Sequence, residues 1–270
     1  MPETQKYLIQ AMEDVAFFES DGSCMFLAGD IQEGSMTNEQ EDVYATGKNG
    51  VRIGSSSRNK ASRLSITNGS ILEGALAAQV GAEVVTGDVI VRHMDLITVA
   101  GGKAKLTYKP QGTTGAEIPF IYKRTSDGGL GTKYAISSVA SETAFSYSAS
   151  TNEITVPTSG IQDGDQIVMW YDVKAKNAKR VSNFNDKFSA EGRMEATVLA
   201  KNVCDEKTYV GKIIYYRCKA SGNFDLSFGS DFSVQKMEFE ALSSSCLGAS
   251  NLLWDFVIYD TEDIEKVAGA

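Results

Sequence analysis

Between Asp186 and Asp255 the sequence reads DKFSAEGRMEATVLAKNVCDEKTYVGKIIYYRCKASGNFDLSFGSDFSVQKMEFEAL over residues 186–242 and then enters the run LLWDFVIYD at residues 252–260. Apolar and polar residues alternate through this stretch in pieces of strand length, which Gly, Asn, Asp and Ser separate. Such alternation is typical of consecutive antiparallel strands with one solvated face. The stretch predicts a β-meander, and no catalytic motif interrupts it.

Length and charge set the limits of the interpretation. The chain has 270 residues and is 42% hydrophobic, which is enough to bury the core of one large domain or two modest ones. It carries 26 basic and 35 acidic residues, a net charge of -9, so its bulk charge repels nucleic acid. No basic segment leads into an apolar run near the N-terminus, and no stretch approaches the roughly 18 apolar residues of a membrane helix. We expect neither a secretion signal nor a membrane span.

The cysteines give no sign of a metal or cofactor site. Cys24, Cys204, Cys218 and Cys246 are widely spaced, form no CxxC pair and have a single histidine in the chain to join them. Buried free thiols are the favoured interpretation. A hairpin could nevertheless bring Cys204 opposite Cys218, so a disulfide between them stays open.

The N-terminal third combines a hairpin, a loop and a helix. The runs VAFFES and CMFLAG, joined by Asp21 and Gly22, predict a hairpin. The run ILEGALAAQVG predicts a helix that ends at Gly81, with Asn68 or Ser70 as its N-cap. Residues 34–62 lie between these elements and show little apolar periodicity, so we expect a long loop there.

This expected loop carries acidic residues followed by basic ones. A segment with both signs can bridge two copies of a chain head to tail, a contact that generates rings or tubes. A mobile surface loop without that role is the equally weighted alternative. The candidate residues for contacts between subunits are Glu39, Glu41, Asp42, Lys48, Arg52, Arg58, Lys60 and Arg63.

The middle of the chain reads as an inserted module. Six short runs rich in β-branched and aromatic residues recur at intervals of about ten residues. They predict a small immunoglobulin-like β module at residues 98–172, within a β-sandwich formed by residues 1–97 and 173–270. The Cys and Trp pattern of antibody domains is absent.

Residues that suggest chemistry have structural interpretations. His93 has no nucleophile signature beside it and is expected to be a half-buried strand residue. The segment GGLGTK at residues 128–133 lacks phosphate-loop spacing and is expected to be a hairpin turn. The acids at residues 39–42 and the pair Asp163 and Asp165 lack the ligand series of a calcium loop. We therefore expect no catalytic, cofactor or metal residues and no enzyme activity.

The segment TNEQEDVYATGKNGVRIGSSSRNKASRLSITNGSILEGALAAQVGAEVVTG, residues 37–87, resembles the tail tube (major tail) proteins of long-tailed bacteriophages. The C-terminal meander looks like the closing half of the same family, and residues 96–175 are similar to immunoglobulin-like insertions of phage structural proteins. The resemblance implies a tube-type β-sandwich with one flanking helix and a long loop that reaches a neighbouring subunit. It also implies that six copies close a ring and that rings stack into a hollow tail tube through which DNA passes.

The same resemblance implies partners and a location. The partners are other copies of the chain and tail proteins such as the tape measure and the terminator. The location is the virion tail, after assembly in the host bacterial cytoplasm.

A binding module is the alternative function. In that interpretation the chain is a tail-tip protein or surface adhesin, and Trp170, Tyr171 and Tyr122 contact a receptor or glycan. Neighbouring strand residues point to opposite faces, so at least one of Trp170 and Tyr171 is expected in the core.

Overall fold

The computed structural model describes residues 6–226, 232–243 and 251–264. It divides into two compact units: unit 1 comprises Met1–Val85 with Val181–Ala270, and unit 2 comprises Thr86–Arg180. The described residues are mainly β with one α-helix and two sheets, so the predicted fold class is confirmed. Unit 2 extends beyond the module predicted at residues 98–172 at both ends. The reason is that the long strands Val85–Thr98 and Gln166–Arg180 pair with each other.

The elements in chain order are β1 (Tyr7–Phe18), β2 (Cys24–Ala28), β3 (Ile31–Thr46), β4 (Arg52–Asn68), α1 (Glu73–Val80), β5 (Val85–Thr98), β6 (Lys103–Lys105), β7 (Phe120–Arg124), β8 (Leu130–Ile136), β9 (Ala144–Ser148), β10 (Glu153–Thr155), β11 (Gln166–Arg180), β12 (Glu191–Asn202), β13 (Thr208–Ala220), β14 (Gln235–Ala241) and β15 (Asp255–Tyr259).

The sheet of unit 1 contains the predicted meander. Its strand order is β2-β1-β12-β13-β14-β4-β3, and β15 pairs with β13 beside this path. The pairs β12–β13, β13–β14 and β13–β15 are all antiparallel. In β14 the residues Gln235, Met237, Phe239 and Ala241 are buried while those between them are exposed. The period-two alternation therefore confirms one buried and one solvated face.

Aromatic side chains from distant parts of the chain meet in the core of unit 1. Phe17 on β1 stacks on Phe26 of β2 and on Phe239 of β14, with ring centroids 5.8 and 5.6 Å apart. The predicted β1–β2 hairpin is confirmed, and Asp21 accepts hydrogen bonds from the backbone and hydroxyl of Ser23 in its turn. Burial of these rings joins the N-terminal hairpin to the C-terminal meander.

Helix α1 ends where the sequence predicts but begins differently. Gly81 adopts a left-handed conformation with φ 67°, as expected of a glycine that ends a helix. Neither Asn68 nor Ser70 caps the start, so that prediction is wrong. The backbone amide of Leu72, the N-cap residue, instead donates to Oε1 of Gln235, 2.8 Å away on β14.

Unit 2 has its own sheet and its own core. The strand order is β5-β11-β7-β8-β9-β10-β6, in which β8 and β9 run parallel. Ile118, Ile121, Phe145, Ile154 and Met169 are fully buried in this core. The immunoglobulin-like character of the module stays a prediction.

The segment predicted as a long loop is a β-hairpin. Strands β3 and β4 pair antiparallel from Ile31 opposite Asn68 to Thr46 opposite Arg52. The loop prediction for residues 34–62 is therefore wrong. It failed because both faces of this hairpin are solvated over most of its length, which removes the apolar alternation that identifies an ordinary strand.

Candidate assembly surface

Among the residues that the structure describes, no third strand pairs with the outer part of the β3–β4 hairpin. Strand β14 pairs with β4 only from Arg63 to Asn68, near the base of the hairpin. Every residue from 37 to 60 is exposed except Gly47, which is partly buried. We call residues 37–60 the arm. A two-stranded ribbon of this kind is marginally stable by itself in water and gains stability by packing against another surface.

The turn of the arm explains how the chain reverses. Asn49 and Gly50 both have positive φ, 65° and 75°. The amide of Gly47 donates to the carbonyl of Val51 at 2.7 Å, and the amide of Gly50 donates to the carbonyl of Gly47. An Asn-Gly dipeptide is a strong hairpin signal because both residues tolerate positive φ. This dipeptide is the sequence signal that would have identified the hairpin.

Two of the predicted contact residues pair with each other inside the arm. Arg58 lies 2.6 Å from Oε1 of Glu41, and the side-chain amide of Asn59 donates to Oε2 of the same carboxylate. These hydrogen bonds, from Arg58 first and then Asn59, hold the pKa of Glu41 below its usual value. Asp42 accepts a hydrogen bond from Ser57. These contacts join residues that face each other across the ribbon within one copy.

Two further candidates also have partners within the chain. The guanidinium of Arg52 lies over the ring of Tyr44, 3.9 Å from its centroid. Arg63, at the base of the arm, lies 3.7 Å from Glu240 and 3.9 Å from Glu238 on β14. Within the described ranges, Glu39, Lys48 and Lys60 are the predicted contact residues whose side chains form no ion pair, hydrogen bond or ring contact.

Apolar side chains concentrate near the tip of the arm. Val43 and Tyr44 are 41% and 42% exposed, and Val51 and Ile53 are 61% and 72% exposed. Scattered exposed apolar residues are ordinary, but several on one narrow ribbon are typical of an interaction surface. Sequence reasoning selected the charged residues of this segment and missed these four.

The arm also contributes an open sheet edge. Strand β3 is 16 residues long and is the last strand of the unit 1 sheet, so one side of its backbone pairs with no other strand among the described residues. At the opposite end of the sheet, β2 contributes only five residues. Exposed edges of this kind are templates for pairing with another chain.

His93 lies on β5 as a partly buried strand residue, as predicted. Its ring contacts Tyr108 and Tyr171 edge-on, and its Nε2 lies 3.8 Å from Oδ1 of the buried Asp95. Asp95 accepts hydrogen bonds from the backbone and hydroxyl of Thr107 and from the hydroxyl of Tyr171. Burial by itself raises the pKa of Asp95, but these hydrogen bonds and the charge of His93 together hold it below its usual value.

The remaining candidate motifs have structural roles. The turn at Asp127 and Gly128 joins β7 to β8, which confirms the hairpin predicted there. Asp163 accepts from the amides of Gly101 and Gly102, and Asp165 pairs with Lys123 at 2.6 Å. Among the residues that the structure describes, no group of three or more potential ligands is placed to hold a metal ion.

The proposed aromatic platform does not exist as a single surface. Tyr171 is fully buried, whereas Trp170 is partly exposed and meets Tyr122 edge-on, with ring centroids 6.0 Å apart. The expectation that one of the two neighbouring aromatics lies in the core is confirmed.

The cysteines are separated in the structure. Cys204 is exposed and follows the end of β12. Cys218 is buried on β13, and the residue opposite it on β12 is Gly192. Cys204 and Cys218 therefore do not face each other, and both thiols are free. Burial raises the pKa of Cys218 to about 12. Cys24 is exposed, so the prediction of buried thiols is correct only for Cys218, and Cys246 lies outside the described residues.

One cleft of unit 1 contains two ion pairs. It has a volume of about 800 Å³ and lies beside the β1–β2 turn. Of its two carboxylates on β12, Glu191 pairs with Arg217 at 2.9 Å and Glu195 pairs with Arg193 at 2.7 Å. Carboxylates that are held in ion pairs are typical of a structural surface.

Comparison with known proteins places the chain in a family. Residues 7–250 match the YomU/Tube protein family. The chain matches no curated protein sequence. Over the part of the chain that the structure describes, no helix has the length and apolarity to cross a membrane. Because the match spans most of the sequence, the chain belongs to the YomU/Tube protein family, and this membership points to a phage-related, tube-like structural protein of the virion.

Proposed function

We propose that the protein is a non-enzymatic virion component that assembles into hexameric rings, which stack as the hollow tail tube of a phage. The arm is the observation that carries this proposal. It is an exposed ribbon of 24 residues, 37–60, with apolar side chains near its tip and an open edge along β3. Family membership supports a tube, and the arm supplies a means of joining copies.

In the proposed assembly the arm of each copy lies against a neighbouring copy. Val51 and Ile53 become buried there, which stabilises the contact by roughly 25 cal/mol for each Å² of apolar surface removed from water. Glu39, Lys48 and Lys60 are available for charge pairs that fix the relative position of the copies. A contact between unlike surfaces generates a ring where the rotation closes, and it generates stacked or helical arrays where it does not.

The net charge of -9 supports passage of DNA through the tube. DNA carries dense negative charge, so an acidic wall disfavours adhesion. Tape-measure and terminator proteins are the proposed tail partners, and the host bacterial cytoplasm is the proposed place of assembly.

The arm provides the test of this proposal. Ile53→Asp places a charge at a side chain that is 72% exposed, so the stability of the isolated chain should change by no more than about 0.5 kcal/mol. Assembly of the variant should be lost, because the charge would be buried in the contact. Val139→Asp is the matched control, since Val139 is also 72% exposed but lies in unit 2.

Sedimentation velocity at increasing protein concentration measures the outcome. The wild type and the Val139→Asp variant should form large particles, whereas the Ile53→Asp variant should remain small. Equal assembly of all three proteins would overturn the role of the arm.

A further inference from the structure

Strand β5 of unit 2 is an unusual edge strand. It is the last strand of its sheet, so its outer edge pairs with no other strand in the described part of the chain. It is 14 residues long, has no proline, and carries several exposed large apolar side chains: Val85, Ile90, Val91, Met94 and Leu96. Long apolar edges promote pairing with another chain, and monomeric proteins commonly shorten or interrupt them.

The two faces of β5 differ in environment. His93 and Asp95 point towards the core, where both contact Tyr171 of β11. Successive strand residues alternate between faces, so the even-numbered positions point the other way. Arg92 and Asp88 indeed form ion pairs with Asp172 and Lys174 of β11 on that outward face. Ile90 lies between them and is 54% exposed.

The centre of β5 is complementary to itself. It reads Asp88-Val89-Ile90-Val91-Arg92. When two such strands pair antiparallel about Ile90, each Asp88 lies opposite an Arg92, each Val89 opposite a Val91, and the two Ile90 residues face each other. β-branched pairs and opposite charges are favourable across strands. A parallel arrangement in the same register would instead place like charges together.

We propose that β5 pairs antiparallel with β5 of a second copy of this chain, about a two-fold axis at Ile90. The charges remain accessible for this contact, because the side chains of Asp88 and Arg92 are 47% and 55% exposed. A two-fold contact uses the same surface on both copies and closes upon itself. It is therefore separate from the contacts that build rings, and it does not depend on the arm.

Charge substitutions at the axis test the proposal. All proteins carry Ile53→Asp, so that assembly through the arm does not obscure a dimer. In this background Ile90→Lys and Ile90→Glu should each be monomeric, because the contact would place two like charges opposite each other. An equimolar mixture of the two should recover the dimer, since a lysine then faces a glutamate.

Size-exclusion chromatography with light scattering, over a wide range of protein concentration, reads out these states. The parent protein should be dimeric, and Leu130→Lys should leave it so, because Leu130 is equally exposed but lies on β8. Circular dichroism checks that the variants fold. A monomeric parent, dimeric single variants, or a mixture that stays monomeric would each overturn the proposal.

A cross-link gives a second measurement that does not depend on dissociation. Residues that face each other in an antiparallel pair have Cα atoms about 4.5–5.5 Å apart, within reach of a disulfide. Ile90→Cys is combined with Cys24→Ser, Cys204→Ser, Cys218→Ala and Cys246→Ser, which replace the four native cysteines. Glutathione disulfide should oxidise the two thiols to a 90–90 disulfide and be reduced to two glutathione molecules. Absence of a cross-linked dimer would contradict the pairing.

Discussion

At the scale of single residues, a buried amide network joins the helix to the sheet. Gln235 accepts from the amide of Leu72 and donates to Oε1 of Gln79, 3.1 Å away. The side chain of Gln79 in turn donates to the backbone carbonyl of Lys236. Because buried polar groups are costly when unpaired, this network ties the start and the end of α1 to β14.

Replacement of Gln235 should therefore weaken unit 1. Gln235→Ala leaves the amide of Leu72 and the side chain of Gln79 without this partner, and we expect a loss of about 1–3 kcal/mol. Urea denaturation measures the change, with Gln10→Ala, an exposed position on β1, as the control. A loss no greater than that of the control would show that the network contributes nothing to stability.

The lowered pKa of Asp95 predicts a pH dependence for unit 2. A carboxyl whose pKa is lower in the folded state stabilises the fold above its unfolded pKa of about 3.9, and the contribution is lost as the pH falls through the folded pKa. Asp95→Asn, which does not titrate, should cost about 1–3 kcal/mol at neutral pH. The difference from the wild type should shrink as the pH falls below about 4.

Chemical denaturation at a series of pH values checks this expectation. Glu142→Gln is the control, since Glu142 is an exposed carboxylate in unit 2. If Asp95→Asn lost the same stability at every pH, ionisation of Asp95 would not be the source of the effect.

At the scale of elements, the sequence predicts best those strands that have one wet face. Strand β14 alternates buried and exposed residues without interruption, so the two-residue period of a strand can be recognised from the sequence alone. The arm has two wet faces and gives no such period. The end of α1 is marked locally by Gly81, whereas the amide of Leu72 at its start is bound by Gln235, 163 positions away along the chain. Local patterns cannot reveal a contact supplied by tertiary structure.

The turn of the arm supplies the prediction at this scale. Asn49 has φ 65°, a left-handed conformation that asparagine tolerates better than alanine. Asn49→Ala should destabilise the hairpin by about 1–2 kcal/mol, while global unfolding of unit 1 changes little. Hydrogen exchange of the amides of residues 37–60 in the unassembled protein should become faster. Unchanged exchange there would show that the turn does not limit the opening of the arm.

In the whole molecule, the two units carry different surfaces for the proposed contacts between copies. Unit 1 contains the meander, the helix and the arm, and the arm is the basis of the proposed tube. Unit 2 has a separate core and carries the self-complementary edge of β5. The family match spans both units over residues 7–250. Assembly is the proposed function that unites these features.

Cryo-electron microscopy of the purified protein at high concentration is the decisive test of the proposed tube. We expect hollow tubes of stacked rings, six copies to each ring, with the arm of every copy in contact with a neighbour. A protein that remains monomeric at every concentration, or that forms only closed two-fold dimers, would contradict it.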